Sequence, residues 1–138
     1  MNRYEHRRIA QARLVDAQVL LQARRYAAAY YLAGYVVECA LKACIARQFR
    51  RADIPEPGTV RDIYVHDLVR LRHLAGLDGA YRAEATRDPQ FEVAWLTVRG
   101  WKETSRYSVQ RARVEADDLY RSVADPTHGV LRWLKQHW

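Results

Sequence analysis

The chain has 138 residues, 49% of them apolar and 28% charged, a balance that suits one globular domain and excludes a disordered or low-complexity protein. Six Gly and four Pro are too few for a turn-rich β-sandwich and fit an all-α chain. The net charge of +7 comes from 23 bases against 16 acids, and since Lys42, Lys102 and Lys135 are the only lysines, arginine supplies most of it. Either this is a solvated arginine surface or it serves acidic partners, nucleic acid or an acidic protein, for which the planar guanidinium is suited.

The opening segment MNRYEHRRIAQ has no apolar stretch ahead of a cleavage site, so no secretory signal is expected. Residues 3–25 read as a first helix. Ile9, Ala12, Leu14, Ala17, Leu20, Leu21 and Ala23 recur at helical spacing, with Arg3, Arg7, Arg8, Arg13 and Arg24 largely outside that face.

The next stretch, YAAAYYLAGYVVECALKACIA from Tyr26 to Ala46, is apolar on nearly every side and broken only by Glu38 and Lys42. A helix without a charged back belongs at the centre of a bundle or between subunits. Its strictly apolar part, Tyr26 to Val37, is shorter than the ~20 residues a membrane span needs, so a soluble, cytoplasmic protein with no membrane partner is expected. One helix from residue 3 to 49 would reach about 70 Å, too long for a compact domain, which predicts a turn near Arg24–Tyr26. Glu38 and Lys42 stand at i and i+4 with the acid first, the favoured order for a helical ion pair. They form either an internal pair or part of a polar cleft with the hydroxyls of Tyr31 and Tyr35. Cys39 and Cys44 point about 140° apart on this helix and cannot pair within it. No metal-ligand spacing occurs, so buried free thiols and no metal or cofactor are expected.

The segment RRADIPEPGTVRD from Arg50 reads as a loop. His66 to Leu74 follows as a helix with Leu68, Leu71 and Leu74 inward and Gly76 at its end. His66–Asp67 is then a capping pair, unless His66 faces a cleft near Glu38 and Arg106. Asp78 to Thr86 predicts a short helix. Asp88–Pro89 opens another, carrying Phe91, Val93, Trp95, Leu96 and Val98. Lys102 to Ser108 reads as a polar connection, and Val109 to Val123 as a helix with Ala112, Ala116, Leu119 and Tyr120 inward. Asp125–Pro126 predicts a last helix to about Gln136, anchored by Leu131 and Leu134. Trp95, Trp101, Trp133 and Trp138 are expected in the core or an interface. Trp101, Arg106 and Tyr107 form either a packed corner or a basic platform for stacking a base. The expected architecture is an all-α, up-and-down antiparallel helical bundle of four to five main helices with short extra helices, in one domain spanning residues 1–138.

DAQVLLQARRYAAAYYLAGYVVECALKA, then VHDLVRL, then Trp101-x4-Arg106-Tyr107, resemble the HEPN domain superfamily of small prokaryotic helical proteins. The likeness runs from Ala12 to about Trp133. It implies a homodimer and a partner with a minimal nucleotidyltransferase fold, in a toxin–antitoxin-like pair. A subset of such proteins are metal-independent ribonucleases with an Arg-x4–6-His motif late in the bundle, at the dimer cleft. There histidine moves a proton and arginine stabilises the scissile phosphate. Here positions 111 to 113 are Arg, Ala and Arg, so Arg106 lacks its histidine. Arg121-x6-His128 has the spacing but spans Asp125–Pro126, and Arg61-x4-His66 lies outside the usual place. The leading expectation is therefore a non-catalytic binding component, with Tyr31, Glu38, Lys42, His66, Trp101, Arg106 and Tyr107 as binding residues. The alternatives are a ribonuclease using Arg121 and His128, or Arg106 with a histidine from elsewhere, and a module that takes a nucleotide near Glu38, Lys42 and Arg106.

Overall fold

The computed structural model describes residues 1–49 and 65–138; the loop expected from Arg50, and Arg61 with it, lie outside the described residues. Every regular element among those described is helical: α1 (Arg3–Gln22), α2 (Tyr26–Phe49), α3 (Leu68–Leu74), α4 (Asp78–Arg87), α5 (Pro89–Arg99), a 3-10 helix (Glu103–Tyr107), α6 (Arg113–Ala124) and α7 (Val130–Leu134). The expected all-α bundle is the observed one.

Asn2 opens α1 with a capping box, its side chain accepting from the Glu5 amide at 2.9 Å while its own amide donates to the Glu5 carboxylate at 2.8 Å. The helix ends where a turn was expected. Arg24 is left-handed (φ 61°), its amide donating to the Leu21 carbonyl and the Arg25 amide to that of Leu20. This is a Schellman closure with arginine where glycine is the usual choice. The turn folds α2 back along α1. Ala10 and Ala17 of α1 are fully buried at that contact.

Helix α2 is the axis of the bundle, packed against α1, α3, α6, α7 and the 3-10 helix. Ala33, Val36, Val37, Ala40, Leu41, Ala43 and Ile45 are buried on several sides of it, as its lack of a charged back requires. Counted across Glu38 and Lys42, Tyr26–Gln48 is long and apolar enough to cross a membrane, a longer span than the strictly apolar run. Here 67% of an 18-residue apolar window within that stretch is buried by the rest of the bundle. Gly34 has a specific role. A Cβ there would lie 2.2 Å from the Trp101 indole, so the bare backbone is what seats the ring on α2.

Asp67 caps α3, accepting from the Arg70 amide at 3.0 Å, and left-handed Gly76 (φ 69°) closes the helix as expected. The helix starts two positions later than predicted because His66 precedes its cap. Asp88 caps α5, with Pro89 in its first turn. Phe91, Ala94, Trp95 and Val98 form the inward face of α5, at i, i+3, i+4 and i+7. Val93 and Leu96 fall off that stripe and are exposed.

Three further boundaries differ from the sequence-based expectation. Lys102–Ser108 is not merely a connection, because Glu103–Tyr107 winds into a 3-10 helix docked on α2. Helix α6 starts at Arg113 rather than Val109, so Ala112 is an exposed cap residue. Ala116, Leu119 and Val123 face inward. The last helix is confined to Val130–Leu134, since the Asp125 carboxylate is taken by the amides of Thr127 and His128 (2.8 and 2.7 Å) and caps a separate turn. All four tryptophans are buried in one continuous core running from Ala10 to Trp138.

Candidate functional site at the junction of α2 and the 3-10 helix

Glu38 is the one acid in the buried half of α2, only 1% exposed, and it needs partners because a lone charge there is costly. Lys42, one turn on, donates to its Oε1 at 2.8 Å, and His66 Nδ1 approaches the same oxygen at 2.7 Å. Glu38 Oε2 is buried with no partner among the described residues. The two alternatives for His66–Asp67 thus resolve by division of labour: Asp67 caps α3 and His66 turns to the acid.

The network continues outward. His66 Nε2 lies 3.6 Å from Glu103 Oε2, and Arg106 Nη1 lies 3.4 Å from the same oxygen. Arg106 also donates to the Tyr107 hydroxyl at 2.7 Å, and its guanidinium sits 4.7 Å from that ring centre. A chain of polar groups therefore runs from Lys42 and buried Glu38 through half-exposed His66 and Glu103 to exposed Arg106. Trp101 holds its place. Its indole packs on Gly34, with its centre 6.0 Å from the Tyr31 ring, and it fixes where the 3-10 helix begins. Tyr31 stacks on Tyr35 at 5.9 Å. Burial, reinforced by the Glu38 charge, pushes the Tyr31 phenol up, so at neutral pH its hydroxyl is a proton donor.

Tyr31, Glu38, Lys42, His66, Trp101 and Arg106 thus meet in one region, with Tyr107 at its exposed rim. Glu103, which bridges His66 and Arg106, was missed by the sequence reading. Its signal was the i, i+3 spacing to Arg106, visible only if the segment is helical. His128 is not in this region. Its Nδ1 is 2.7 Å from Asp88 Oδ2, an interaction that holds the Asp88 carboxyl below the usual carboxylate range. Arg121 is exposed, and no hydrogen bond or ion pair joins it to His128. Among the described residues no group of His, Cys, Asp and Glu could hold a metal ion.

Beside the network lies a groove of about 930 Å³, between the α1–α2 turn and the start of α6. Arg24, Arg25, Arg106 and Arg111 line it, with Tyr26, Tyr31, Ser105 and a single acid, Glu115. Arg111 is fixed from two sides, paired with Glu115 at 2.9 Å and stacked 3.9 Å over the Tyr30 ring.

An all-helical bundle built on an α1–α2 hairpin, with a buried acid bonded across to a histidine, defines a class of small helical domain. Comparison with known families agrees: the HEPN domain family model matches residues 4–57. That match runs over α1 and α2, the axis on which the network is built, and is a similarity to the HEPN domain over less than half of the chain. No curated protein and no solved structure matches the chain.

Proposed function

We propose that this protein is a HEPN-type binding component that acts without cleaving nucleic acid, in a cytoplasmic toxin–antitoxin-like pair with a nucleotidyltransferase-fold partner. One observation carries the non-catalytic part. Each ring nitrogen of His66 faces a carboxylate, and Arg106 is held by Glu103 and Tyr107, so neither is left free to work on a phosphodiester. The partner and the pairing follow from the family resemblance, and the two buried free thiols fit a reducing compartment. Tyr4, Val15 and Val19 on the exposed side of α1 are apolar surface for a second copy, which fits a homodimer. Light scattering giving 16.1 kDa at micromolar concentration would contradict the dimer.

A second reading is favoured by Glu103, which links Arg106 to a histidine distant in sequence. Arg106 and His66 then form the acid–base and phosphate-stabilising pair of a metal-independent ribonuclease. Incubation of the purified protein with varied RNAs in EDTA separates the two. No cleavage is expected; cleavage that His66→Ala and Arg106→Ala abolish would replace the first reading with the second. Co-expression with the product of the adjacent open reading frame tests the pairing, and failure of a nucleotidyltransferase-like product to co-purify would count against it.

A further inference from the structure

The chain between the 3-10 helix and α6 runs along one wall of the groove with its backbone open. It is extended at Ser108 and at Ala112 and bends at Val109. From Val109 to Arg111 neither amides nor carbonyls have a hydrogen-bond partner among the described residues. Water serves such groups in an ordinary loop, but these lie beside a hollow of about 930 Å³ that a ligand could fill. Apolar side chains stand out along the same segment: Val109 is 91% exposed and Tyr107 71%. Ser105, also in the lining, is 6% exposed, and its hydroxyl is buried without a partner.

Charge selects the kind of partner. Residues 106–113 contain Arg106, Arg111 and Arg113 and no acid, and Arg24 and Arg25 stand on the facing wall. Arg111 and Arg113 are answered by Glu115 and Asp117, whereas the Arg24 and Arg25 side chains have no partner among the described residues. A second copy of the segment would set arginine against arginine. A ligand that offers acceptors alone leaves the carbonyls of Val109, Gln110 and Arg111 unmatched. A peptide main chain offers donors and acceptors together.

We propose that residues 106–113 are a docking edge for an extended acidic segment of a partner protein. Its main chain pairs with the open groups of Val109 to Arg111, as a strand adds to a free edge. Alternate side chains of an extended segment point to opposite sides. Carboxylates on one side meet Arg24, Arg25 and the Ser105 hydroxyl, and apolar groups on the other meet Val109 and Tyr107. The proposal goes beyond the pairing above by assigning a surface and a chemistry, and it does not depend on the partner's fold.

Selection of 12-residue peptides from a displayed random library against the purified protein, followed by fluorescence anisotropy of those recovered, tests this. The recovered sequences should alternate acidic and apolar residues. In an extended chain only every second amide faces the edge. N-methylating one alternate set of peptide amides should therefore weaken binding about tenfold, and N-methylating the other set should not. Arg24→Gly removes a groove cation and relaxes the left-handed turn, so its expected loss of about tenfold cannot be blamed on unfolding. Arg24→Gly with Arg25→Ala should lose about a hundredfold, and Arg99→Ala, an exposed arginine outside the groove, nothing. Recovery of no acidic peptide overturns the proposal, whatever else the groove binds. Equal tolerance of both N-methylated sets, or binding unchanged in Arg24→Gly, overturns it too. Co-purification of a nucleotidyltransferase-like product is a separate readout, so this proposal and the pairing fail independently.

Discussion

Gly34→Ala is the smallest change that should disturb the site, and its effect can be worked out from one distance. The new Cβ would lie 2.2 Å from Cγ and Cδ1 of Trp101, whereas ordinary contacts begin near 3.4 Å. The indole must therefore retreat by about 1 Å, and it is 2% exposed in a packed core. If the core yields, such overpacking costs about 1–3 kcal/mol. If the ring is expelled, the loss of ~150–250 Å² of buried aromatic surface costs about 4–6 kcal/mol. Alanine returns about 1 kcal/mol through helix propensity. Since the close atoms belong to the face of a rigid ring, the outcome is a net loss of about 2–4 kcal/mol, read as a lower urea midpoint at unchanged slope. The background decides whether the reasoning holds. In Trp101→Val, where the ring is gone, Gly34→Ala should change sign and stabilise by up to ~1 kcal/mol. Equal destabilisation in both backgrounds would refute the claim that glycine is there to seat Trp101, as would a Gly34→Ala protein no less stable than wild type.

Burial, more than the nearby Lys42 charge, holds the His6 imidazole below the ordinary histidine value, and burial does the same for His137. The unfolded chain therefore takes up protons first as pH falls below about 6.5, and these groups remove stability from there down to their folded values. The urea midpoint should fall less between pH 7.5 and 5.5 for His6→Gln/His137→Gln than for wild type; parallel profiles would dismiss this. A separate acid limb is expected below about pH 4. Asp78, held down chiefly by its bond from His73, and Glu84, held down chiefly by Arg87, contribute stability above the unfolded carboxyl value. That stability disappears as pH drops through their lower folded values. Burial pushes the Cys39 thiol up to about 11 and that of Cys44 up to about 12, so neither should react with a disulfide reagent at pH 8 until urea is added. Fast native-state labelling would show that α2 opens locally. Asp67→Ala removes the cap of α3 and should cost about 1 kcal/mol; a loss of His66 ordering without that cost would mean Asp67 serves the site rather than the helix.

Much of the scaffold is written locally. The unbroken apolar run of α2, the Asp88–Pro89 start and the glycine after Leu74 are short-range signals, and short-range physics honours them. Failures came where a local signal had two outlets. Asp125–Pro126 looks like a helix start, but the Asp125 carboxylate satisfies the amides of Thr127 and His128 in a closed turn, and the helix waits until Val130. The apolar residues carried by α5 could not be sorted by composition alone, because the helix has room for one stripe, set by the rings of Phe91 and Trp95 against Trp133 and Tyr81, and Val93 and Leu96 lie off it.

The sequence by itself pointed to an all-α chain, to α2 at the centre of a bundle or between subunits, to Glu38 and Lys42 one turn apart in the order that favours an ion pair, and to a basic overall charge. These depend on spacing along one helix or on composition. Only the tertiary structure decided what meets Glu38 from elsewhere. His66 and Glu103 come from segments far apart in sequence, and no periodicity links them. The packing of the Trp101 indole on Gly34 docks the 3-10 helix on α2 and so carries Glu103 and Arg106 toward His66. The groove has the same origin, because Arg24 and Arg111 become neighbours only when the left-handed turn folds α2 back and the chain before α6 lies across its start.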